Sequence, residues 1–274
     1  MRLRAALCAV LSSALHLTAD AAFERTASDP RLAALGGAGT ALTGHPWGAE
    51  SNPAGIAPAV RTLAAAYTPA TFGLTELARG AFAYVEPLPW FSLSAGASTF
   101  GFELYRETDA YLSCAVPVTG DFTAGATLHG YFLAVEGYGS DNAVGVDLGG
   151  VLRLSEGLTW GFAIANLNGP AVSGEEELLP RVFSTGLAWL PAEGVTLVAD
   201  VVKDLGHPLE VRAGAAYRVL EALELRAGTG TQPSTLAAGA GVATSSFRLD
   251  YAFTSHPDLG ATHRFGVTVE LGGR

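Results

Sequence analysis

From residue 62 onward one pattern repeats: apolar and small or polar residues alternate with period two over about ten positions, and then a turn follows. In the last run Phe265, Val267, Val269 and Leu271 share one face, opposite Arg264, Gly266, Thr268 and Glu270. In the run before it Phe247, Leu249, Tyr251 and Phe253 oppose Arg248, Asp250, Ala252 and Thr254. Fourteen such runs can be counted, with limits 62–69, 78–86, 91–100, 103–116, 121–133, 143–154, 158–167, 180–190, 195–203, 209–219, 223–229, 235–243, 247–254 and 263–271. Short turns such as Ser155-Glu156-Gly157 alternate with a mostly longer set, including Ala134 to Asn142, Asn168 to Leu179 and Ser255 to Thr262. Short turns at one end and longer loops at the other is the plan of an outer-membrane barrel.

A soluble β-sandwich also alternates, but it puts charge on the face opposite its apolar one. Here the second face is mostly Gly, Ala, Ser and Thr with scattered Arg, Asp and Glu, which suits a lumen packed against something. In lipid an open sheet edge is excluded, so such a sheet must close on itself. The composition agrees: only 15% of residues are charged, against about 25% in soluble domains, and 34 are glycine. A net charge of −10 argues against a nucleic-acid binder.

The first 21 residues read as a secretory signal. Met1-Arg2-Leu3-Arg4 is basic, Ala5 to Leu17 is an apolar run of 13 residues, and Ala19-Asp20-Ala21 offers small residues at a cleavage site. Thirteen residues are too few for a spanning helix, which needs about 20. Removing this segment takes Cys8 away and leaves Cys114 unpaired.

About forty residues separate the signal from the first strand, enough to fill a lumen of this width. They carry Leu35-Gly36-Gly37-Ala38-Gly39-Thr40-Ala41-Leu42 and then Ala49-Glu50-Ser51-Asn52-Pro53-Ala54-Gly55-Ile56. Gly36, Gly37 and Gly39 permit close backbone approach, while Asn52-Pro53 begins a turn. A glycine-rich stretch followed by Asn-Pro-Ala-Gly resembles the N-terminal signature of the FadL-like outer-membrane proteins, and most nearly their PorV/PorQ branch. Asp200-Val201-Val202-Lys203-Asp204 and the ending Leu259 to Val267 are similar to that branch too.

The resemblance implies a 14-stranded barrel with its N-terminal segment as a lumen plug. Two departures stand out: the chain ends Gly272-Gly273-Arg274 instead of in an aromatic residue, and its loops are short for a substrate-capturing receptor.

Catalytic signatures are absent. No G-x-S-x-G, H-E-x-x-H, C-x-x-C, Walker A or G-x-G-x-x-G occurs. His45, His129, His207, His256 and His263 lack metal-ligand spacing, although His129 faces the same side as Thr127. Glu175-Glu176-Glu177 reads as a solvated loop tip.

The expectation is therefore an all-β protein, a transmembrane antiparallel β-barrel of about 14 strands whose N-terminal segment plugs the lumen. Its organisation is 1–21 signal peptide, 22–61 plug and 62–274 barrel, located in the outer membrane. The plug and gate residues are Gly36, Gly37, Gly39, Asn52, Pro53 and Gly55. Asp147, Arg153, Asp200, Glu210, Arg212, Glu224, Arg226, Arg248 and Asp250 form a lumen ion-pair network that supports the plug. No catalytic residue, cofactor or metal is expected. The functional expectation is passive transport of small hydrophobic molecules, with the plug as gate and outer-membrane lipid as surroundings. The alternative is a non-catalytic PorV-like barrel that docks or shuttles secreted proteins.

Overall fold

The computed structural model describes residues 22–57, 59–172 and 177–271, with nothing said of the Glu177 side chain. The expected signal peptide, the Gly-Gly-Arg ending and most of the acidic run lie outside the described residues. In chain order the strands are β1 (Thr62–Thr68), β2 (Arg79–Pro87), β3 (Ser92–Gly101), β4 (Tyr105–Pro117), β5 (Phe122–Val135), β6 (Gly139–Ser155) and β7 (Leu158–Ala165). Then follow β8 (Ala171–Val172), β9 (Glu177–Leu178), β10 (Val182–Ala192), β11 (Val195–Asp204), β12 (Glu210–Leu220), β13 (Leu223–Thr231), β14 (Ser234–Ala243), β15 (Phe247–His256) and β16 (Gly260–Glu270). Fourteen of them form one closed antiparallel barrel, while β8 and β9 make a separate two-stranded ribbon.

Closure is made by β1, which pairs with β2 through Thr62↔Val85 and with β16 through Thr62↔Glu270. No edge is left in the barrel, as a sheet in hydrocarbon requires.

The alternation sets the two faces. In β1 exposed and buried residues alternate without a break. Leu63, Tyr67, Phe82, Leu112, Leu128, Phe132, Leu187, Trp189, Val211, Tyr217, Leu225, Leu249 and Phe265 are exposed around the outside. Such a belt is stable only in lipid, so the fold is a transmembrane barrel of the outer-membrane type. The opposite face carries Ala64, Ala83, Ser94, Ser113, Thr127, Ala163, Ala216, Ala252 and Thr262, all buried.

The strand limits follow the alternation closely, with two corrections. Ala134 to Asn142 is not a long loop: β5 runs to Val135 and β6 starts at Gly139, with Gly137 and Gly139 at φ 79° and 105° making the tight reversal. Likewise β15 and β16 are joined by 257–259 alone. At the loop end only 69–78, 166–181 and 205–209 exceed the length of the connections at the short-turn end.

Residues 22–57 form two short helices, α1 (Pro30–Ala34) and α2 (Gly48–Ser51), and a 3₁₀ turn at Pro53–Ile56. Proline at the first helical position suits both α1 and the turn, because that N–H would lack an intrahelical partner anyway. Asp29 caps α1, its Oδ1 accepting the Arg31 N–H at 2.8 Å. Helix α1 packs on β13, β14, β15 and β16, whereas the 3₁₀ turn packs on β3, β4, β5 and β6. These are two arcs of the wall on opposite sides of the barrel.

Candidate functional site

Gly36 and Gly37 sit at φ 70° and 78°, a conformation that favours glycine, just after α1. A Cβ at Gly36 would also stand 2.6 Å from the Thr229 backbone. Beyond them the chain meets Asp200 of β11. One carboxylate oxygen, Oδ2, accepts the Gly39 N–H at 2.8 Å, the Thr40 N–H at 2.9 Å and the Thr40 hydroxyl at 2.8 Å. Three donors on one buried carboxylate oxygen make a charge-assisted anchor.

Asn52 is the second anchor, with no exposed surface. Its Nδ2 donates to the Thr40 carbonyl at 2.7 Å and to the Gly150 carbonyl of β6 at 3.1 Å. Its Oδ1 accepts the Ala54 N–H at 3.0 Å and so caps the 3₁₀ turn. Pro53 and Gly55 are buried in that turn, where a Cβ at Gly55 would lie 2.7 Å from the Leu42 carbonyl oxygen.

Sequence reasoning missed the matching residues in the wall. A Cβ at Gly149 would stand 2.0 Å from Asn52 Oδ1, at Gly161 2.1 Å from the Thr40 oxygen, and at Gly228 2.2 Å from the Gly36 nitrogen. At these points the segment's backbone or polar side chains rest directly on the strands. The available signal was glycine at inward-facing positions of otherwise regular strands.

The nine charged residues read as one network are not one. Arg226 contacts Glu224 at 2.6 Å and Asp250 at 2.7 Å, while Arg248 reaches the same two at 2.9 and 3.0 Å. Arg31 of α1 lies 3.8 Å from Glu224 and so adjoins this cluster. Arg212 pairs with Glu210 at 2.7 Å, and its Nη1 donates to the Gly37 carbonyl at 3.4 Å. Asp147 pairs with Arg25 at 2.8 Å and with His129 at 3.3 Å, and accepts the Asn166 N–H at 2.8 Å. Asp200 joins no ion pair among the described residues: its Oδ2 accepts the segment's donors, and its buried Oδ1 has no hydrogen-bond partner among them.

Arg153 is a correction. It is an exposed side chain paired with Asp121 at 2.6 Å at the short-turn end, because it lies two residues from the end of β6.

His129 is held between carboxylates, with Nδ1 3.0 Å from Asp109. The Thr127 hydroxyl donates to Ser113 and not to this histidine. Among the described residues no three His, Cys, Asp or Glu side chains are arranged to hold a metal.

Two asparagines in the longest loop were also missed. The part of β6 before Leu148 has no ladder with β7. There Asn168 Oδ1 accepts the Val146 N–H at 2.9 Å and its Nδ2 donates to the Val144 carbonyl at 2.7 Å, standing in for a neighbouring strand. Asn166, at φ 52°, accepts from the Tyr131 hydroxyl and donates to the Pro180 carbonyl. Val172 and Leu179 then pack with Ala22, Phe23 and Tyr131.

Between the segment and the loop end lies a cavity of about 760 Å³, lined among others by Arg79, Phe100, Glu107, Asp109, His129 and Arg264. Burial perturbs the titrating groups of the N-terminal segment. It pushes the Asp29 carboxyl up to about 6, with Asp250 adding to the rise. It pushes Glu50 up to about 7, and holds His45 down to about 3 beside Arg31.

Solved structures share this fold. The monoaromatic hydrocarbon channel CymD is 14% identical, with a TM-score of 0.72 over 92% of this chain and 100% of its own. The P. putida toluene transporter TodX is 12% identical, with a TM-score of 0.68 over 89% and 98%. A *Pseudomonas aeruginosa* FadL homologue is 13% identical, with a TM-score of 0.58 over 86% and 96%. The chain has the fold of these proteins. No family model matches it, and no curated protein matches it in sequence.

Proposed function

We propose that this chain is a passive outer-membrane channel for small hydrophobic molecules, with residues 22–61 as a plug that gates the lumen. The observation that carries the reading is the double anchorage of the segment, by Asp200 on β11 and by Asn52 against Gly150 on β6. Those strands are separated by β10 and β7, and with α1 against β13–β16 and the 3₁₀ turn against β3–β6 the anchored segment extends from one side of the lumen to the other. Its ties are hydrogen bonds and the Arg25–Asp147 ion pair, worth about 0.5–1.5 kcal/mol net for a neutral bond and about 1.5–3 for one to a charged group, which a moving segment can exchange for water. The names of the two channels with the same fold, for monoaromatic hydrocarbon and for toluene, support a small apolar cargo.

The test is a pair of measurements on the purified full-length protein. Toluene influx into proteoliposomes is expected to exceed that into empty vesicles. Deleting 23–55 is expected to leave a heat-modifiable barrel with higher ion conductance. A deletion variant that conducts no better than the intact protein would remove the gate. The alternative of docking secreted proteins rests on the PorV/PorQ resemblance, and it predicts a stoichiometric protein partner on purification from native membrane.

A further inference from the structure

Arginines facing the lumen divide into two kinds. Arg25, Arg212, Arg226 and Arg248 each have a carboxylate within 3.0 Å. Arg79 of β2 and Arg264 of β16 have none within ion-pair distance among the described residues, and both line the cavity. Arg264 Nη1 donates to the Thr254 hydroxyl at 2.8 Å. Arg79 lies over the Phe100 ring, its Cζ 5.0 Å from the centroid. The two strands are separated only by β1, where Thr68 lies opposite Arg79 and follows Tyr67, the partner of Phe265, so the two arginines stand in one row across three strands.

Two like charges in one row of a partly enclosed cavity repel each other, and an anion bound between them relieves that repulsion. One candidate countercharge is Glu50, which Arg79 influences. Its Oε2 accepts the Ser28 N–H at 3.0 Å instead, and its carboxyl is pushed up to about 7, so near neutrality it supplies only part of a charge. The acids across the cavity are engaged: Asp109 by His129, and Glu107 by the Tyr105 hydroxyl at 2.6 Å. What remains is a pair of guanidiniums with free donors beside an aromatic surface. Phe100 lies beneath Arg79, and Phe72 also lines the cavity, packed edge-on against His256 with centroids 5.5 Å apart.

We propose that Arg79 and Arg264 form a carboxylate-binding subsite through which the cavity takes small aromatic monocarboxylates. The guanidinium fork matches a carboxylate, and the Phe72 and Phe100 rings offer the ligand's ring an apolar surface. The proposal rests on the channel reading above but narrows its cargo to one that carries a charge at one end.

The experiment uses the full chain, with benzoate as probe and toluene as its uncharged counterpart. Binding of benzoate to the purified protein is measured by calorimetry, and entry of both compounds is measured in proteoliposomes. Arg79→Gln and Arg264→Gln are each expected to weaken benzoate binding tenfold or more and the double variant to abolish saturable binding, while toluene entry is unchanged. Arg79→Lys is expected to recover part of the affinity, and Arg153→Gln, at the exposed turn, to change nothing. Heat-modifiable migration reports assembly, and either single variant carries the test if the double one does not assemble.

Benzoate binding that survives both substitutions overturns the subsite. So does an unmodified protein that passes toluene but binds no benzoate, and in that case the channel reading stands. Benzoate bound through the two arginines while neither compound crosses would keep the subsite and overturn the channel.

Discussion

Asn52→Ala tests the docking of the N-terminal segment at its most buried polar side chain. The substitution strips the Thr40 and Gly150 carbonyls of a donor and the Ala54 N–H of its acceptor. At about 1 kcal/mol for each group left unpaired, the docked state loses about 3 kcal/mol. Since about 1.4 kcal/mol is a factor of ten, the ratio of docked to undocked segment falls about 100-fold. Asn52→Asp is the harsher change: it keeps the acceptor for Ala54 but turns a carboxylate oxygen toward two carbonyl oxygens. The assay is single-channel recording in planar bilayers, with heat-modifiable migration as the check that the barrel has assembled. Open probability is expected to rise in the order wild type, Asn52→Ala, Asn52→Asp. Two assembled variants with wild-type conductance would refute the argument, because the segment would then owe nothing to its buried anchor.

Three further outcomes follow from the same geometry. Asp200→Asn removes the charge from the bonds to Gly39 and Thr40, costing about 1–2 kcal/mol, and is expected to raise open probability about tenfold. Gly161→Ala puts a Cβ 2.1 Å from the Thr40 carbonyl oxygen, so limited proteolysis is expected to cut within residues 22–57 while the barrel stays intact. Glu50, pushed up to about 7, favours docking while protonated, so its contribution is full below the ordinary carboxylate range and is lost as pH rises through 7. Conductance is therefore expected to be higher at pH 8 than at pH 6, and Glu50→Gln, which keeps an acceptor for Ser28, to flatten that step.

The barrel was legible because its constraint is local and repeated. Each pair such as Phe265 and Gly266 declares two faces, and closure follows from the solvent on one of them. The anchors were half legible. Asn52 and the glycines of 36–39 announce themselves by residue type, and Asp200 by a charge on a small-residue face. What each anchor holds depends on which turn of the segment meets which strand, a long-range register that no period records. Arg153 belongs to the same face pattern as Asp147, yet the end of β6 carries it out to Asp121. Asn168 was invisible for the opposite reason: in the chain it is one more loop asparagine, and it becomes a substitute strand only because β7 is 8 residues long beside a β6 of 17.

Fourteen strands enclose more space than inward side chains fill, and the alanines and glycines of this wall widen it further. A segment in such a space must satisfy each backbone N–H and C=O, and here the partners come from wall and segment by turns. Asp200 receives N–H groups, Asn52 feeds carbonyls, and wall glycines let the chain come close enough for both. The barrel's own ladder uses none of these groups' side chains. Docking can therefore be weakened at Asn52, Asp200 or Glu50 with the strand pairing left in place, and that energetic separation is what a gate built from the N-terminal segment requires.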